Sequence, residues 1–325
     1  MPTTIIATGG TIASRTGLDG LPVAALDAHA LIASVPALRD DPTISGHDLR
    51  TVNSWAFTTR DMLGIVAAID DVRAADPHRG IVVTHGTDTL EETAFLIDLL
   101  VARDGRPPVV VTGAMRTADH PEPDGPANLR DAVAVAQAPQ VRGCGALVVI
   151  DGCIHAAVET TKVASDGLGA LRSPGPEGPL GRVEHGCARL DRSPPPRPEP
   201  SSGFLGPVEL VVVHPDLGGD AIDRLVERDV RGLVVQGTGL GNVPPVVATA
   251  IERAIAAGVV VVVARRPLTG RTDLRYGGEG GGGRLAAAGA IGAGRLSAHQ
   301  ARLALGVALA RDPAPDNVRA WFAPW

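Results

Sequence analysis

Aromatic side chains are scarce in this 325-residue chain, with three tryptophans, four phenylalanines and a single tyrosine, Tyr276. So few rings leave no platform for stacking bases or sugars, and the core must be built from Val, Ala, Leu and Ile. Cysteine is as rare. Cys144, Cys153 and Cys187 show no paired metal spacing, and an odd number fits poorly with a disulfide framework. No apolar run approaches the roughly 18 to 20 residues of a membrane span. Nor is there an excess of positive charge: the net charge of −6 gives no electrostatic case for nucleic acid or an anionic membrane as partner. Met1-Pro2-Thr3-Thr4 runs into a strand with no basic or long apolar leader, which predicts a cytoplasmic chain.

What is present is an ordinary globular composition, 44% hydrophobic, in a chain long enough for two domains. Short β-branched runs recur at 3–7, 80–84, 108–112 and 146–150, and again at 209–213, 232–235 and 259–264. Uninterrupted runs of this kind suit strands buried on both faces, as in a parallel sheet. Helical patterns at 59–75, 90–102 and 221–228 alternate with them, which predicts an α/β doubly wound architecture. The stretch "RSPPPRPEPSSG" at 192–203 cannot continue a helix or an interior strand. It divides the chain into a larger N-terminal, mainly parallel sheet domain (1–190), a linker (191–206) and a smaller α/β domain (207–325). "GGEGGGGR" at 277–284 is too rich in glycine for regular structure and is predicted to be a mobile loop.

The unusual residues gather where strands end, the place where open α/β sheets bind ligands. The first strand runs into "ATGGTIAS", whose paired glycines let backbone amides approach a ligand and display Thr11 on a tight loop. Capping a turn is the simpler role for Thr11. A second strand hands over to a helix through Thr84-His85-Gly86-Thr87-Asp88-Thr89, far more polar than a turn requires. Thr89 and Glu92 have capping-box spacing and are assigned to the helix start. Thr87 and Asp88 are not explained that way. His85 stands without H-x-x-x-H spacing or a carboxylate cluster, so it reads as a hydrogen-bonded structural residue, and no metal is predicted. A threonine hydroxyl needs a base to become a nucleophile. "HAAVETTKVASD" supplies Lys162, either a solvated surface charge or an amine desolvated enough to take a proton.

Together "ATGGTIAS", "VVTHGTDTLEETAFLIDLL", "VVVTGAMR" followed by "DGPANLRDA", "ETTKVASD" and "GLVVQGTGLGNVP" resemble the bacterial L-asparaginase and glutaminase-asparaginase family, in order and over nearly the whole chain. The resemblance implies hydrolysis of a side-chain amide of a small amino acid to a dicarboxylic amino acid and ammonia, with no cofactor. It implies that Thr11 is the nucleophile, that Lys162 raises the basicity of Thr87, and that Asp88 pairs with the substrate α-ammonium. Ser54 in "TVNSWAF" matches the serine that holds the α-carboxylate. It further implies a homotetramer built from intimate dimers, in which Asn242 of "GTGLGN" reaches a neighbour's site; a plain turn residue is the other reading of Asn242.

Three departures stand out. The expected lid, "SRTGLDGLPVAALDA", lacks the tyrosine that many relatives place beside the nucleophile, which predicts slow turnover. In the lid, Arg15 cannot act as a base, while Asp19 and Asp27 are carboxylates poorly matched to a hydroxyl. Trp55 follows Ser54 where relatives carry a smaller or polar residue, and the glycine-rich stretch obscures the late acidic partner around Glu279. Three functions are weighed: an asparagine amidohydrolase, a hydrolase of glutamine or another side-chain amide, and a catalytically weak homologue that binds acidic amino acids.

Overall fold

Residues Thr3–Gly9 and Gly80–Thr84 are buried at every position, as apolar runs flanked by strands on both sides require. In the computed structural model, which describes residues 1–325, the chain divides within the proline-rich stretch into two compact units, Met1–Pro195 and Pro196–Trp325.

The first unit begins with β1 (Thr3–Gly9), the hairpin β2 (Ser14–Thr16) and β3 (Pro22–Ala24), α1 (Ala28–Ala33), α2 (Pro36–Arg39) and β4 (Ile44–Val52). It continues through α3 (Thr59–Ala75), β5 (Gly80–Thr84), α4 (Leu90–Leu100), β6 (Val109–Thr112), α5 (Gly125–Gln137), β7 (Ala146–Ile150) and β8 (Cys153–Ala156). A short ribbon of β9 (Thr161–Lys162) and β10 (Leu171–Arg172) and the strands β11 (Gly181–Glu184) and β12 (Cys187–Leu190) complete it. One sheet runs in the order β12-β11-β8-β7-β6-β5-β1-β4. It is parallel from β4 to β7 and antiparallel from β7 outward to β12.

The parallel centre follows from the apolar runs, but β4 and the antiparallel extension do not. β4 reads ISGHDLRTV and is largely exposed along an edge, so neither a buried run nor a hydrophobic alternation marks it. Its place is set by pairing with β1 from Thr3↔Ile44 to Ala7↔Asp48. β7 and β8 are joined by the two-residue turn Asp151-Gly152, both at positive φ (51° and 70°), the conformation that Asp-Gly favours in tight hairpins. The helices obey their local signals: α3 starts at a capping box in which Thr58 Oγ accepts the Asp61 N–H while the Asp61 carboxylate accepts the Thr58 N–H. α4 is buried or half-buried all round despite carrying Glu91, Glu92, Thr93 and Asp98, with Leu90, Ala94, Phe95 and Ile97 fully enclosed.

The second unit carries β13 (Val208–Val212), α6 (Asp220–Val226), β14 (Gly232–Gly237), α7 (Pro245–Ala256), β15 (Val260–Arg265), α8 (Gly282–Ala288), β16 (Ile291–Gly292), α9 (Ala298–Arg311) and α10 (Pro315–Phe322). Its four strands are all parallel, in chain order across the sheet. The glycine-rich stretch corrects the expectation of a loop without regular structure, because Gly282 and Gly283 begin α8. These glycines serve close backbone packing. A Cβ on Gly280 would strike the Val243 carbonyl, and one on Gly282 would lie 2.7 Å from Leu274 Cα. No helix is long and apolar enough to cross a membrane.

Two buried histidines tie stability to pH. Burial pushes His85 down to about 4, and burial, followed by the charges of Arg192 and Arg182, pushes His155 down to about 4. Both are neutral in the folded chain and titrate near their ordinary value of 6.5 when unfolded. Between those limits the unfolded state binds more protons, so stability is complete above about pH 6.5 and falls as pH drops toward about 4. Each histidine adds a slope of about 1.4 kcal/mol per pH unit within that window. Urea unfolding of the wild type at pH 7.5, 6, 5 and 4.5 should show this loss, and His155→Gln should flatten it by about one histidine's share.

Candidate active site

β1 ends at Gly9 and Gly10, both at positive φ (96° and 81°), and a 3₁₀ turn, Thr11–Ala13, follows. The Gly10 carbonyl accepts the Ser14 hydroxyl (2.8 Å) and the Ala13 N–H (3.0 Å), while its own N–H reaches the Val52 carbonyl (3.0 Å). A Cβ on Gly10 would collide with Cα and N of Gly86, so no other residue lets the two strand-end turns meet. The in-register pairing of Ala7 with Thr84 and a bond from the Thr8 hydroxyl to the Thr84 carbonyl (2.7 Å) hold β1 and β5 in this relation. Thr11 follows the first contact glycine and Thr87 the second. Thr11 is half-buried and Thr87 is buried.

The second turn is braced from behind by His85. The Gly86 carbonyl can only accept, so the imidazole Nδ1 carries the proton and donates to it (2.8 Å), leaving Nε2 to accept from the Thr93 hydroxyl (3.0 Å). Phe57 packs on the ring at a centroid distance of 4.7 Å. Ser54 is buried beneath the same turn, in the 3₁₀ segment Ser54–Ala56. A Cβ on Gly86 would lie 2.5 Å from Ser54 Oγ, and that hydroxyl has no hydrogen-bond partner. A buried hydroxyl left unsatisfied is costly unless a ligand completes it. Thr89 and Glu92 do not form the expected capping box at the start of α4. The Thr89 hydroxyl donates instead to the Ser54 carbonyl (2.9 Å), tying the serine segment to the Thr87 turn.

Lys162 arrives from β9. Its Nζ donates to Thr87 Oγ (2.9 Å) and to Asp88 Oδ1 (2.6 Å), and its backbone N–H donates to Glu91 Oε2 on α4 (2.5 Å). The lysine side chain is 16% exposed and the aspartate 51%, so one end of the ion pair faces solvent. Lys162 is the only lysine in the chain; every other member of the 30 Lys plus Arg is arginine. Arginine does not give up its proton in a protein, whereas lysine does. That singularity is a sequence signal that would have singled out Lys162 without any motif.

The first unit thus brings together Thr11, Ser54, Thr87, Asp88 and Lys162. Asn242 lies in the second unit. There its backbone bridges to Thr238 and its Oδ1 accepts the Gly282 N–H (3.2 Å). Tyr276, also in the second unit, is exposed, and Glu279 lends its carbonyl to Arg284. The lid region forms the β2–β3 hairpin, whose carboxylates have local work. Asp19 accepts the Leu21 N–H in the turn, and Asp27 caps α1 by accepting the Ala30 N–H (2.7 Å).

No sequence motif marks what holds the hairpin. The Ser14 carbonyl accepts the Ala118 N–H, and Asp119 accepts the Thr16 N–H (2.8 Å). The Thr117 hydroxyl, followed by the Thr16 hydroxyl and N–H, holds the Asp119 carboxyl far below the usual carboxylate range. A depressed carboxylate keeps its clip as pH falls through the ordinary range. Asp119→Ala should therefore speed limited proteolysis within residues 17–21 severalfold while leaving Tm nearly unchanged, as peptide mapping would record.

Comparison with known proteins adds a second line. Residues 3–196 match the family profile "Asparaginase, N-terminal", and residues 207–322 match "Glutaminase/Asparaginase C-terminal domain". The "Probable L-asparaginase" of Deinococcus radiodurans is 38% identical over 323 residues, spanning 98% of this chain and 96% of that protein. The "Glutaminase-asparaginase" of Pseudomonas aeruginosa is 33% identical over 269 residues, spanning 79% and 73%. Among solved structures, that of the "Probable Cytoplasmic L-asparaginase" from Campylobacter jejuni superposes with a TM-score of 0.87 at 28% identity, over 100% of this chain and 99% of that one.

Proposed function

The chain belongs to the asparaginase family, and we propose that it hydrolyses L-asparagine to L-aspartate and ammonia, without a cofactor, in asparagine catabolism. The observation that carries this reading is the triangle of Lys162 Nζ, Thr87 Oγ and Asp88 Oδ1 beside the contact of Gly10 and Gly86, one residue from Thr11. An amino-acid amide needs an anion for its ammonium, donors for its carboxylate and a nucleophile for its amide carbon. Asp88 is the half-exposed anion, and the unpartnered Ser54 hydroxyl is a donor awaiting an acceptor.

Thr11 Oγ attacks the carboxamide carbon, and its proton passes through water or the Thr87–Lys162 pair to the departing nitrogen, which leaves as ammonia. The resulting acyl ester on Thr11 is then attacked by water. Thr87, with Lys162 Nζ at hydrogen-bond distance, takes the water proton and returns one to Thr11 as aspartate departs. A substrate ammonium on Asp88 displaces Lys162 from that carboxylate, leaving Nζ committed to Thr87. Asp19 and Asp27 are engaged in a turn and a helix cap, so the lid supplies no free base, and turnover is slow for an asparaginase.

The assembly we propose is a homotetramer, a dimer of dimers, in which the loop bearing Asn242 closes a neighbour's site. Cytoplasmic residence belongs to the same reading; the Campylobacter protein carries that location in its name, and all three cysteines here are free.

Thr11→Ala and Thr87→Ala should each lower kcat by about 1,000-fold or more in a folded oligomer. Lys162→Met should lower kcat, and Asp88→Asn should raise KM and lower kcat/KM steeply. Ammonia release from asparagine, glutamine and des-amino amides checks the substrate. Faster release from glutamine makes the chain a glutaminase, equal release from amides without an α-amino group removes Asp88 from recognition, and binding without release makes it a sensor. Light scattering that finds an active monomer excludes the tetramer.

A further inference from the structure

The site's lysine sits on very little structure. β9 and β10 have two residues each, paired only as Leu171↔Lys162 and Arg172↔Thr161. A two-stranded ribbon this short has no independent stability, and a lysine is a long, flexible arm. Something outside the ribbon must fix its backbone if Nζ is to stay 2.9 Å from Thr87 Oγ.

Glu91 holds the Lys162 N–H from α4, and a closed circuit of contacts holds the rest of the ribbon. It begins at the wall of Thr87: a Cβ on Gly113 would stand 3.3 Å from Thr87 Cγ2 and 2.6 Å from the His85 carbonyl. The Gly113 carbonyl accepts Asn128 Nδ2 (3.0 Å), which also donates to Asp124 Oδ2 (3.2 Å). That aspartate accepts the N–H groups of Met115 and Arg116, each at 2.9 Å, and so ties the start of the loop after β6 to its end. On its other side Asn128 Oδ1 accepts the Asp151 N–H (3.0 Å). Asp151 Oδ2 in turn accepts the Gly169 N–H (2.5 Å). The next residue, Ala170, accepts the Val163 N–H (2.7 Å), and Val163 adjoins Lys162. From Lys162 the circuit returns to Thr87 through Nζ.

We propose that Asp151, acting with Asn128, is a positioning residue that sets the Lys162–Thr87 separation by anchoring the lysine ribbon to the loop walling Thr87. The inference rests on the reading of Lys162 as a proton carrier. Asp151 touches none of the reacting groups and works only through Gly169. A displacement of about 1 Å at a proton-transfer pair costs on the order of 10 to 100-fold in rate, whereas substrate recognition by Asp88 and Ser54 is untouched.

Asn128 is buried, and removing it invites misfolding. Asp151 is better suited to the test. Its φ of 51° is one that glycine adopts freely and asparagine tolerates, and Gly-Gly and Asn-Gly both form the two-residue turn. Asp151→Gly deletes the acceptor for Gly169 while keeping the turn; Asp151→Asn keeps both. Expected for the full-length oligomer is a fall in kcat of about tenfold for Asp151→Gly. KM, calorimetric Kd for L-aspartate and Tm should stay close to wild type, and Asp151→Asn should restore kcat. Because Lys162 is the only lysine, chain labelled with lysine bearing ¹³C at Cε gives one lysine Cε resonance. It should shift or broaden in Asp151→Gly and not in Asp151→Asn.

Wild-type kcat with an unmoved resonance in Asp151→Gly overturns the proposal. So does an equal loss in Asp151→Asn, which would implicate the carboxylate charge instead of the hydrogen bond, or a loss of kcat matched by a loss of Tm. Lys162→Met separates the two levels. If it abolishes kcat while Asp151→Gly does not lower it, positioning alone fails; if Lys162→Met is itself active, the proton-carrier reading fails.

Discussion

The contact of Gly10 with Gly86 is the constraint on which the site depends. Parallel strands β1 and β5 deliver two turns side by side, and the missing Cβ atoms let the backbones touch. Three of the proposed site side chains lie directly against that contact. Thr11 and Thr87 follow the two glycines, and Ser54 lies against Gly86. His85, held neutral by burial, braces the turn from the sheet side. A bulkier residue at either glycine would separate two hydroxyls that the proposed chemistry needs close together.

Rigid and adjustable parts are distributed accordingly. The strand-end turns follow β1 and β5, which are buried at every position, the kind of core strand that opens last. Lys162, the lid hairpin and Asp88 are peripheral and are held by few hydrogen bonds: those to Glu91 and Asp151 for the lysine ribbon, and those of Ser14 to Ala118 and of Thr16 to Asp119 for the hairpin. In the proposed mechanism the nucleophile is fixed and the proton carrier sits on a tethered ribbon. The tethers therefore matter as much as the groups that react.

Much of this is legible in the sequence. The β1, β5, β6 and β7 strands read as apolar runs because both their faces are covered. Thr87 and Asp88 stood out because a helix start needs only Thr89, although Thr89 turned out to spend its hydroxyl on Ser54. The β4 strand was illegible because an edge strand with solvent on most side chains carries no hydrophobic pattern. The glycines at 280–283 signal flexibility by composition, whereas the structure uses them for close backbone approach. Composition cannot tell those two uses of glycine apart.

What the sequence determined by itself is local: which runs are buried strands, where each ends, and which polar residues cluster at those ends. These follow from periodicity and from the few conformations open to glycine and to capping residues. The tertiary structure alone decided which ends meet. Thr87 and Lys162 are 75 residues apart, and Asp151 and Gly169 are 18 apart. No local rule pairs them, because each bond exists only after strand order and register have fixed the backbones that carry its two partners.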